Sequence, residues 1–166
     1  TLSPYKVASL RMIFSGLALL PFCYSALKQI PRNKLFVVVL SGVMGSFIPA
    51  YLFCIAETKI DSALAGILNS LTPLFTILVG ILFYKVQTSA IKILGILIGF
   101  IGLTFLMLTG KELHLDHLSY ASLVLIATLF YGINVHTVGR YLKAISSIQI
   151  ASVAFSFLIL PSAAVL

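Results

Sequence analysis

Acidic side chains are nearly missing from this chain. Four Asp and Glu stand against eleven Lys and Arg in 166 residues, and charged residues together make up only 9%. Soluble domains run at about 25% charged, because a polar surface must cover their core. A soluble domain is therefore excluded. None of the four acids lies deep in an apolar run, so the visible spans offer no buried carboxylate to carry a coupling proton.

Other absences narrow the reading further. Cys23 and Cys54 both fall in apolar runs and read as small packing residues, not as a disulfide or a metal pair. No Gly-x4-Gly-Lys-Ser/Thr loop is present to cradle a nucleotide, so ATP drive is unsupported and no cofactor is expected. The net charge of +7 is spread over short groups, with no Lys/Arg block or basic stripe of the kind nucleic acids require. There is no ring of like charges or filter sequence of a channel. Nor do the spans hold a base, nucleophile or metal set that would make an enzyme. Glu112, His114, Asp116 and His117 carry metal-ligating groups, but nothing fixes a coordination geometry there, and a solvated loop is expected.

What the chain has in plenty is apolar sequence, 60% of it. Six apolar segments run approximately Pro4–Leu27, Leu35–Ala56, Asp61–Tyr84, Ile91–Leu108, Leu118–Val138 and Ile148–Leu166. A helix over Asp61–Tyr84 would reach about 36 Å, enough for a hydrocarbon core of about 30 Å. None shows the alternation of a membrane strand, so the spans are helical. If consecutive spans alternate, the loops 28–34, 85–92 and 140–146 share one side, with seven basic residues and no acid. The positive-inside rule makes that side cytoplasmic. The first span then enters from outside, which predicts at least one helix before Thr1.

Proline and polar residues mark the functional region. Pro73 has no N–H for the carbonyl of Asn69, in the middle of the third span, where Asn69, Ser70 and Thr72 also bring polar side chains. Such groups are tolerated at membrane depth where they face protein or a water-filled cavity. The segment Asn69–Pro73 is thus expected to line a midplane cavity. Pro49 similarly frees the carbonyl of Gly45 and predicts a bend. Arg11 is the one charge well inside a span, suited to a carboxylate or phosphate, or free to snorkel to the interface. Tyr131 and Asn134, three apart, share a helix face. His136 reads more simply as an interfacial histidine, and Tyr51 with Glu57 would line an outer vestibule. Small residues at Gly42/Ser46 and Gly95/Gly99/Gly102 predict close helix contacts.

Setting Ser3–Phe14 above Ser146–Phe157 aligns Ser3 with Ser146, Ala8 with Ala151, Ser9 with Ser152 and Phe14 with Phe157. The copies lie five spans apart and so cross in opposite directions, as inverted repeats of carriers do.

The run Glu57–Thr76 resembles the third-to-fourth-helix region of EamA-type proteins of the drug/metabolite transporter superfamily. So do Ser3-Pro4 with Arg11, the glycine pattern at 95, 99 and 102, and Phe130–Asn134 followed by Arg140 and Ser146. The resemblance implies an all-α integral membrane fold, part of a ten-helix carrier of two inverted five-helix repeats. Residues 1–110 would be the first repeat without its first helix, and 111–166 the start of the second. It implies a secondary transporter in the cytoplasmic (inner) membrane, moving small metabolites, amino acids or drugs by alternating access, in the direction of export. Its partners would be a small solute and membrane lipid, with monomer and homodimer both compatible. The substrate-binding or cavity-lining set expected from the residues is Asn69, Ser70, Thr72, Pro73, Arg11, Tyr131, Asn134 and Tyr51. The rival reading is a structural or assembly membrane protein that transports nothing.

Overall fold

Only a helix satisfies all its backbone N–H and C=O groups within one lipid-exposed segment, and every regular element described here is helical. The computed structural model describes residues 2–109 and 115–166, and their side chains except at 103, 104, 106–109 and 115–117. The loop with Lys111, Glu112 and His114, and the side chains of Asp116 and His117, lie outside the described residues. In order come α1 (Pro4–Gln29), α2 (Arg32–Gly42), a π-helical turn (Val43–Phe47), α3 (Ile48–Ala56) and α4 (Ser62–Asn69). They are followed by α5 (Thr72–Tyr84), α6 (Ala90–Thr109), α7 (Leu115–Tyr141) and α8 (Ser147–Val165).

Taken through their breaks, five stretches are long and apolar enough to cross a membrane: Pro4–Gln29, Arg32–Ala56, Ser62–Tyr84, Leu118–Tyr141 and Ser147–Val165. The sixth expected segment is α6, 20 residues long, whose described apolar part, Ala90–Gly102, is shorter than a span. The chain is an all-α multi-pass membrane bundle. Phe14, Phe83 and Leu160 are each more than 60% exposed, as side chains that meet lipid should be.

Since lipid tails are as apolar as leucine, close packing rather than water exclusion joins the helices. The longest seam joins α1 to α8, which run antiparallel. The Gln149 amide donates to Gln29 Oε1 at 2.7 Å at one end, and Gly16 meets Phe155 and Ile159 further along. A Cβ on Gly16 would stand 2.7 Å from the Phe155 carbonyl oxygen, and one on Gly42 2.7 Å from Ala154 Cβ. Gly16→Leu is expected to overpack this seam by about 1–3 kcal/mol, read as a fall of several degrees in the thermal midpoint in detergent.

The glycines of α6 depart from the expectation. Gly99 lies against Leu74, but among the described residues nothing stands near Gly95 or Gly102, and the main contact of α6 with the bundle is its edge with α5.

The two proline-marked spans are broken in different ways. In the second, the Ile48 N–H reaches back to the Val43 carbonyl, five residues away, in place of the usual four. The expected bend is thus a widened π turn, just ahead of Pro49, that accommodates the missing bond. In the third, the helix stops at Asn69 and restarts at Thr72, with Pro73 in the first turn of α5, where its missing N–H costs nothing.

Candidate functional site

The two breaks and the one intramembrane charge meet at a cavity of about 410 Å³. Arg11, Met12 and Ser15 reach it from α1, and Gly45 and Ser46 from the π turn. Ala50 and Phe53 come from α3, Tyr131 from α7 and Phe155 from α8. Glu57 and Asn69 complete the wall. The volume lies in the range of about 300–1,000 Å³ usual for small-molecule sites.

Asn69 is presented by the break itself. The Thr72 hydroxyl donates to the carbonyl of Asn69 at 2.7 Å, replacing the N–H that Pro73 lacks, and reaches Asn69 Oδ1 at 3.2 Å. The Ser70 hydroxyl donates to the Ile67 carbonyl at 2.6 Å. Ser70, Thr72 and Pro73 therefore build the break, and none of them lines this cavity. Polar side chains next to a helix end take the nearest free carbonyl.

Arg11 is exposed into the cavity. Its charge reaches the Cys54 thiol and the Tyr131 phenol, and among the described residues it makes no ion pair with a carboxylate. Glu57 lines the same cavity, so both signs of charge face one space. Tyr51 does not line this cavity. Its hydroxyl pairs with Ser9 at 2.6 Å and its ring lies 4.8 Å from that of Phe47, which ties α3 to α1.

Asn134 faces a second cavity of about 190 Å³, between the π turn and the first turns of α8. Its Oδ1 is buried without a hydrogen-bond partner, and its amide lies on Gly45, so close that a Cβ there would overlap it. Ser41, Ser46, Val138, Ser147 and Phe155 also line this space. Ser46 and Phe155 are common to both cavities. The larger extends to Glu57 and the smaller to Ser147, and both touch Phe155 and the π turn.

His136 serves packing. Its Nε2–H donates to the Thr76 carbonyl at 2.8 Å and its ring stacks on Tyr84 at 4.9 Å. Tyr84 in turn pairs with Thr137 at 3.1 Å, so α5 and α7 are clamped at this end.

The structure thus brings Arg11, Asn69 and Tyr131 together, puts Asn134 at the neighbouring cavity, and places Ser70, Thr72, Pro73 and Tyr51 outside the lining of both. Reading the residues missed Ser46, Ser15 and Phe155. One signal could have found Phe155: the internal repeat sets it opposite Met12, and both line the larger cavity.

Among comparisons with known proteins, the family model described as "EamA-like transporter family" matches residues 1–108. No curated protein and no solved structure matches the chain significantly.

Proposed function

We propose, from the premise that the chain belongs to the EamA-like transporter family, that it forms part of a secondary carrier working by alternating access. The two adjoining cavities, which share Ser46 and Phe155 in their walls, carry this reading, since the direct route from one to the other runs by these two residues. Arg11 and Asn69 hold the solute in the larger cavity, with Tyr131 beside them, and Glu57 faces it with the opposite charge. That pair of charges suits a small solute bearing an anionic group, a zwitterion included. The broken helices at Pro49 and Pro73 are the walls that move. No bond is made or broken in the solute.

In this reading residues 1–110 belong to a first five-helix repeat and 111–166 to a second, inverted one, within a ten-helix carrier of the inner membrane. The loops 28–34, 85–92 and 140–146 are cytoplasmic, as their basic residues require. In support, α1 and α8 begin alike, after Ser3 and Ser146 in the same extended conformation, and Ser9 and Ser152 are both fully buried. Export is the proposed direction.

The test uses the full-length protein beside an empty vector and an Asn69→Ala variant of equal abundance, with small metabolites followed in the medium. Export by the wild type alone would name the solute and put Asn69 on its path. Removing one neutral hydrogen-bonding group should slow flux about tenfold. If neither efflux nor uptake of any solute differs from the empty vector, the carrier reading falls and a structural role takes its place.

A further inference from the structure

We infer that the bundle end carrying Arg140 holds a site for the phosphate headgroup of an anionic lipid. A cavity of about 500 Å³ there is lined by Lys34, Arg140 and Lys143, with Tyr141, Gln29 and Gln149. No acidic side chain lines it. The positive-inside rule asks only that loops carry positive charge, anywhere along them. It does not ask that Lys34, at the start of α2, meet Arg140 and Lys143 of the α7–α8 connection around one cavity. Tyr141 stands beside two of the three: Lys34 Nζ lies 6.0 Å from its ring centroid, and the Arg140 guanidinium 5.8 Å. The N-terminus of α8, closed by the Ser146–Gln149 capping box, begins at the same place and adds its positive dipole end.

The occupant is a lipid, and not a free phosphate, because of what adjoins the cavity. Gln29 and Gln149, hydrogen-bonded to each other at 2.7 Å, also line a second pocket of about 200 Å³ between α1 and α8. That pocket is walled by Phe22, Ala26 and Ile148 together with Ser25, Ser146 and Ser152, and its Phe22 and Ile148 are 53% and 54% exposed. A charged head in the first space leaves an acyl chain in contact with the second. Basic pockets between helices at a membrane face recognise headgroups in this way, each Lys or Arg adding about fivefold in affinity. The site is separate from the solute cavities and does not depend on the transport reading.

Native mass spectrometry of the full-length protein, released from detergent with phosphatidylglycerol, phosphatidylcholine or inorganic phosphate, tests this. The wild type should retain phosphatidylglycerol over phosphatidylcholine, and inorganic phosphate at equal concentration should not displace it. The triple variant Lys34→Gln, Arg140→Gln, Lys143→Gln should lose about a hundredfold in retention, from three charges. Phe22→Ala, which keeps every charge that sets topology, should weaken retention severalfold. Equal retention of the two lipids, equal retention by the triple variant and wild type, or displacement by inorganic phosphate would each overturn the proposal.

Discussion

Replacing Arg11 by glutamine is expected to cut solute flux about a hundredfold, the loss of a charge-assisted contact of about 3 kcal/mol in a partly desolvated cavity. The protein should remain in the membrane in undiminished amount. A charge in the middle of a span costs about 2.5–3.5 kcal/mol on insertion scales, so its removal helps the helix enter. The structure gives Arg11 no carboxylate partner among the described residues whose loss would unpick the bundle. Flux and abundance should therefore part company, which a packing role for Arg11 would not produce. Arg11→Lys keeps the charge and loses the planar fork, and is expected to raise KM about tenfold with the maximal rate little changed. Measuring both constants in proteoliposomes separates the cases. If Arg11→Gln transports at the wild-type rate, Arg11 snorkels to the interface and the solute binds elsewhere.

How far this arrangement could be read from the residues depends on whether the cause is local. The break at Asn69–Pro73 was legible because proline removes one hydrogen bond at a known offset, whatever surrounds it. The π turn was not. The sequence reveals that the Gly45 carbonyl loses its partner, but not that the helix widens there or that Asn134 of α7, 89 positions away in the chain, packs on Gly45. Site residues divide the same way. Arg11, Asn69 and Tyr131 are visible as polar groups that lipid would reject, and all three line the larger cavity. Ser70 and Thr72 looked equally polar, yet each hydroxyl is taken by a carbonyl three residues back. Phe155 was hidden by its chemistry, since a phenylalanine in an apolar helix looks like any lipid-facing or packing residue.

Phe155 is for that reason the position where a second large effect is expected. It and Ser46 are the residues the two cavities have in common, and of the two only phenylalanine is large enough to plug a route between them. An aromatic ring at such a constriction excludes water as well as solute, because a narrow apolar neck dewets. In Phe155→Ala the cavities of about 410 and 190 Å³ should join into one continuous path. The expected result is a leak: preloaded proteoliposomes lose solute on the order of tenfold faster than wild type, without needing solute on the other side. The seam with α1 should survive, since Gly16 rests on the Phe155 backbone carbonyl and on Ile159, neither of which the substitution removes. Phe155→Leu retains an apolar plug and should keep both the seal and exchange across it. A leak in the alanine variant alone identifies a barrier that normally opens only with the moving walls. A tight Phe155→Ala carrier with normal exchange would mean that the solute bypasses this neck, and the route between the two cavities would be lost with it.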